Sequence, residues 1–190
     1  MSIDLREAAN AIYGAWRLAL FDPVGVVFFE RTPEAALRSF RVAVLLAPVW
    51  LVLALLALDP ADEAGPSLGR FLVVTGLAYV LAWTVFPLAM HGISRLIRRA
   101  DRYFVFVTAH NWSQIVQSVV FLPASALAES GLVPDPVGGG VLLGSGLFVL
   151  AYEWFVARTV LEVPGATAAL VVAFSLTMAM TIQAVAGGML

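Results

Sequence analysis

The chain has 190 residues, 61% of them hydrophobic and only 13% charged, with a formal net charge of −2 and no cysteine. That apolar share lies well above the roughly 45–50% of a soluble domain and points to a polytopic membrane protein. Without cysteine there are no disulfides, no thiol chemistry and no Cys-based zinc site, and the charge balance implies no nucleic-acid role. The basic residues are all arginine, a coding bias that hints at a bacterium.

The opening stretch, "MSIDLREAANAIYGAW", carries acids early and no uninterrupted apolar core, so no cleavable leader is expected. Its helical period puts Leu5, Ala9, Ile12, Trp16 and Ala19/Leu20 on one stripe, with Arg6, Glu7, Asn10 and Arg17 off it. Such a helix can lie in the membrane interface with Trp16 and Tyr13 at headgroup level, sensing the membrane or docking a partner. It can equally pack under a bundle as a lid. Asp22-Pro23 ends it, and "VGVVFF" follows as a buried or interfacial connector too short to span.

Five segments are apolar enough to cross a bilayer: Val42–Leu58, Phe71–Met90, Tyr103–Leu127, Val141–Val160 and Ala166–Ala186. The first is short, but a helical extension from Pro33, capped by Thr32, lengthens it. The expected fold is all-α: residues 1–40 form a cytoplasmic amphipathic segment and residues 41–190 a five-helix transmembrane bundle. Ten arginines flank one side of these spans and Arg70 alone the other. The positive-inside rule then puts the N-terminus in the cytoplasm and the C-terminus outside, in the periplasm of a bacterial inner membrane. Pro48, Pro87 and Pro123 fall in or near the ends of the first three spans, where they kink helices as structure or as hinges.

The third span is unusual. His110, Asn111, Ser113, Gln114, Gln117 and Ser118 crowd into nine positions. On a wheel, His110, Gln114, Gln117, Ser118 and Ser125 share one narrow arc, with Ser113 and Asn111 on its flanks. Lipid cannot hydrogen-bond these groups, so the arc must face other helices or a water-filled cavity. It either glues helices together or lines a site or pathway.

Glu153 in the fourth span supplies a counterpart. It lies about seven residues from one end of its helix and His110 about seven from the start of its own, both roughly 10 Å inside the same boundary. A carboxylate and an imidazole at one depth can pair, and Glu153 shares a face with the small residues Gly146 and Ala157. The expected cluster is His110, Asn111, Gln114, Gln117 and Glu153, with His91 and Arg158 nearer its mouth. Alternatively Glu153 pairs with Arg158 or Arg102, and His110 bonds a backbone carbonyl. Ser175, Thr177 and Thr181 in the last span can satisfy their own helix's carbonyls.

No phosphate-binding, dinucleotide-binding or zinc-protease motif occurs, and no spacing supports a metal. Neither catalysis nor a cofactor is expected.

Three stretches, "FDPVGVVFFERTPEAALRSF", "TAHNWSQIVQ" and "YEWFVARTVL", together with the five-span topology, resemble the bacterial branch of the Yip1 family. The eukaryotic "DLYGP" signature is not present; Asp22-Pro23-Val24-Gly25 is its nearest echo. The resemblance implies a non-enzymatic membrane protein, acting as a scaffold or accessory component through helix contacts. The expected partners are the bilayer itself and either another membrane protein or further copies of the chain. The alternatives are a small transporter or channel subunit using the polar face, and a lipid-handling or membrane-shaping protein acting through Ile12 and Trp16.

Overall fold

A computed structural model describes residues 5–56 and 65–190. Among them there are helices and turns but no strand. The helices are α1 (Leu5–Ala19), α2 (Pro33–Ser39), α3 (Arg41–Leu56), α4 (Leu68–Leu96), α5 (Tyr103–Glu129), α6 (Asp135–Val160) and α7 (Gly165–Gly188). Two short 3-10 helices, Pro23–Phe28 and Ala100–Arg102, join α1 to α2 and α4 to α5. The last expected residues of the first span, Ala57 and Leu58, and most of the loop after it lie outside the described residues.

Four helical stretches are long and apolar enough to cross a membrane: Pro33–Leu55, Leu68–Leu96, Asp135–Val160 and Gly165–Gly188. The extension from Pro33 forms as the sequence predicts. Thr32 Oγ1 accepts from the Ala35 N–H at 3.2 Å, and Pro33 occupies the first turn. The third expected span, α5, is not among the four, although it is 27 residues long. Its polar side chains dilute its apolar character, and it is instead the helix the others surround. It packs against α1, α2, α3, α4 and α6. From Val105 to Ala109, and again at Asn111, Trp112 and Ser113, its residues are all buried.

Helix α1 does lie against the bundle, but not by the stripe its period suggests. The buried face is Ala11, Gly14, Ala15, Leu18 and Ala19, small residues that let it approach closely. Ile12 and Trp16 point outward, at 41% and 53% exposure. The wheel finds bulk, whereas close packing selects small side chains. Opposite α1, the 3-10 helix turns in the glycine of "VGVVFF". A Cβ on Gly25 would stand 2.6 Å from the Gly14 carbonyl oxygen, and one on Gly14 would stand 2.8 Å from Phe28 Cβ.

Three helices at the arginine-rich end stop in the same way. Phe21, Arg98 and Glu162 adopt left-handed φ angles of 58°, 59° and 53°. The next residue's N–H then reaches back to the helix: Asp22 to the Arg17 carbonyl, Arg99 to Ser94, and Val163 to Arg158. Ion pairs tie this end together. Arg38 meets Glu7 at 2.9 Å and Glu30 at 2.8 Å, and Arg102 meets Glu162. The Asp22 carboxyl is held below its ordinary range, first by the Val24 backbone N–H and then by Arg17. Such a group adds stability above its unfolded pKa, and that contribution disappears as the pH falls through its folded value.

The Gly14–Gly25 approach makes a specific prediction. Gly25→Ala should lower stability by about 1–3 kcal/mol through overpacking against backbone. Gly92→Ala, where a Cβ meets nothing within 4 Å, should cause no loss. Thermal unfolding of the two purified variants checks this.

Candidate functional site

The polar face of α5 opens on a half-open cavity of about 320 Å³ bordered by α3, α4, α6 and α7. Helix α5 contributes His110, Asn111, Gln114 and Ser118 to it, α6 contributes Glu153, and α7 contributes Ser175. The opposite wall is aromatic: Trp50 from α3, and Tyr79, Trp83 and Phe86 from α4. Trp50 and Tyr79 rings lie 4.5 Å apart, Tyr79 and Trp83 6.2 Å, and Phe86 lies 4.8 Å from the His110 ring. Pro87 has no N–H, so the Trp83 carbonyl one turn earlier lacks its helical donor. A space of this size, mostly apolar with a few converging polar groups, has the make-up of a small-ligand site.

A recess of about 10 Å³ extends the cavity beneath Glu153. Gln117, Ser113 and Ser175 line it, and Phe106, Val156 and Val171 close it. Gln117 neighbours the Glu153 carboxyl, yet its Nε2 is buried with no partner in hydrogen-bond geometry among the described residues. Asn111 Oδ1 is likewise buried and unpartnered there. Leaving such atoms unpaired costs roughly 1–3 kcal/mol each, and the Gln117 amide lies against the Glu153 carboxyl.

The remaining polar groups of α5 do hold helices together. Asn111 Nδ2 donates to Ser39 Oγ of α2 at 2.9 Å. The Tyr152 hydroxyl of α6 donates to the Ala15 carbonyl of α1 at 2.8 Å and hydrogen-bonds Ser113 Oγ at 2.9 Å. This single phenol, fully buried, joins three helices. The two roles of the polar arc thus divide by position. Ser113 and one end of Asn111 bind neighbouring helices, while His110, Gln114 and Ser118 face the cavity.

His110, Asn111, Gln114 and Glu153 therefore border one space, and Gln117 meets Glu153 below it. No hydrogen bond or ion pair among the described residues joins His110 to Glu153; His110 Nε2 instead lies 3.4 Å from Gln114 Nε2. Nor does an arginine reach Glu153. Arg102 engages Glu162 and Asp101, and Arg158 sits 5.2 Å over the Trp154 ring. His91 packs edge-on against Tyr103 at 5.0 Å. His91 and Arg158 border neither space, so the expected mouth does not form around them. Gly146 faces an apolar groove among leucines rather than a helix contact. The close approach of α5 to α6 falls at Gly138, where a Cβ would stand 3.0 Å from Ala128 Cα. Thr177 and Thr181 bond carbonyls one turn back, both at 2.8 Å, as expected, whereas Ser175 borders the cavity.

Toward the far end of the bundle a wider vestibule of about 630 Å³ shares Trp50 and Leu122 with the cavity. Thr75, Ser125 and Gln183 line it among apolar residues. The arginine-rich end below Glu153 is packed by Phe106, Val156, Val160 and Leu161. Comparison with protein-family models, curated proteins and solved structures finds no match to this chain.

The Tyr152 junction yields a second prediction. Tyr152→Phe keeps the ring but leaves the Ala15 carbonyl and Ser113 without their partner, a loss of about 1–3 kcal/mol. Amide hydrogen exchange should accelerate in α1 and the α1-facing turns of α5, with α7 unchanged.

Proposed function

We propose that this chain is an integral membrane protein with five crossing helices that binds a small solute inside the bilayer, as a small transporter or channel subunit. The observation that carries this is the cavity of about 320 Å³ reaching Glu153, bordered by the polar face of α5. A scaffold of Yip1-like type, working through helix contacts alone, calls for a dry interior with its polar groups paired. The cavity, with Glu153 and the polar face of α5 on its wall, favours a filled interior instead.

Helix α5 serves as the fifth crossing segment. At 1.5 Å per residue its 27 residues extend about 40 Å, enough for the hydrocarbon core and both interfaces. Its polar groups are tolerable there because neighbouring helices and the cavity enclose them. The arginine-rich end faces the cytoplasm of a bacterial inner membrane by the positive-inside rule, and the vestibule then opens toward the outside. Helix α1 lies along the cytoplasmic interface, with exposed Ile12 and Trp16 toward headgroups and its small-residue face on α5. No catalytic step is part of this function.

The chain contains no cysteine, which makes single-cysteine labelling clean. Ser118→Cys, on the cavity wall, should react in native membranes with a small water-soluble methanethiosulfonate, because a thiol needs water to ionise. Leu88→Cys on the exposed apolar face of α4 should stay unreactive in lipid. Equal inertness of the two would mean a dry interior and would end the solute-binding proposal.

A further inference from the structure

From the charge and ring content of the same cavity we infer that its solute is an organic cation, held between the Glu153 carboxylate and the aromatic wall of α3 and α4. This rests on the cavity being a solute site at all. Among the described residues that border it, Glu153 is the only acid, and no lysine or arginine is present. Arg102 and Arg158, the two cations near enough along the chain to neutralise it, are engaged elsewhere. A half-buried carboxylate without a cationic partner is costly unless it takes up a proton, and a cationic guest removes the cost of the ionised form.

The rest of the lining suits the same guest. Trp50, Tyr79 and Trp83 lie in a tilted row on the cavity wall, and aromatic rings attract ammonium and pyridinium groups, most strongly once water is excluded. The amide-bearing residues Asn111 and Gln114 border the same cavity. An anion would meet the carboxylate and the aromatic wall as repulsion. An inorganic cation would prefer a small cage of oxygens to a space of this volume walled by rings. The volume fits a guest of about ten to fifteen non-hydrogen atoms or fewer.

The test is calorimetric titration of the full purified chain in detergent micelles. The probes are N-methylpyridinium, neutral benzamide and anionic benzenesulfonate, which are similar in size. Saturable binding of the cation, at least about tenfold tighter than either counterpart, is expected. Glu153→Gln and Trp83→Leu should each weaken it by about tenfold or more, while Trp83→Phe, which keeps a ring face, should weaken it less. Melting temperatures of the variants establish that they are folded, and the probe comparison on the unmodified chain does not depend on any variant. Tighter binding of benzamide or benzenesulfonate would overturn the cationic class and leave the solute site standing. Cation binding that is indifferent to both Glu153→Gln and Trp83→Leu would overturn the placement. If no probe binds and Ser118→Cys is also inert to water-soluble reagent, the solute site falls with it.

Discussion

A hydrogen-bonding group in hydrocarbon has no solvent to satisfy it, and in this protein the densest run of such groups belongs to one helix. Helix α5 carries a histidine, an asparagine, two glutamines and two serines within three turns. The arrangement of the other helices follows from the need to enclose them. Helix α2 brings Ser39 to Asn111, and α6 brings Tyr152 to Ser113. On the third side α4 and α7 stand back, leaving the cavity. Enclosure by protein and enclosure by a cavity are the two solutions the physics allows, and α5 uses one on each side.

The two ends of the bundle are built differently. At the arginine-rich end α1 and the following 3-10 helix are fastened by the glycine pair, by the Tyr152 hydroxyl and by ion pairs from Arg17 and Arg38, while Arg102 ties the start of α5 to Glu162. Three non-glycine residues accept left-handed backbone there, a local cost that persists only where surrounding structure fixes the turn. The far end holds the vestibule, with Thr75 Oγ1 buried and unpartnered beside it.

Sequence periodicity goes far where a feature is local and less far where it depends on a distant neighbour. The helix boundaries are written in Thr32, Pro33 and the flanking arginines. The depth of His110 and Glu153, counted along their own helices, places both on one space. The direct pairing expected of them depends on how far α5 stands from α6 at that level, which no count along a helix supplies. The same holds for Ser39, 72 residues from the asparagine it meets, and for Tyr152, 137 residues from the carbonyl it bonds. The buried face of α1 is misleading for another reason. Its contact is made by Ala11, Gly14 and Ala15, residues that a search for bulk overlooks. The aromatic wall looks from sequence like ordinary apolar membrane residues, because nothing in Trp50 or Trp83 alone distinguishes a ring facing lipid from one facing a cavity.

Helix α3 bears on how a solute would reach such a cavity. It buries Val42 at its base, and beyond that it is held by the Tyr79 hydroxyl donating to the Ala43 carbonyl at 2.6 Å and by the Trp50–Tyr79 ring contact. Val44, Leu45, Val49, Leu51 and Val52 are all exposed, an apolar face that lipid covers at no cost. Helices α5 and α6, by contrast, interlock through Gly138 and Tyr152. Opening a closed bundle requires separating packed surfaces, and the work is least where fewest side chains interdigitate. In this molecule that seam lies between α3 and its neighbours, and it runs past Trp50, the residue common to the cavity and the vestibule. Helix α3 thus leaves a broad apolar face exposed and also carries Trp50, the residue common to both spaces.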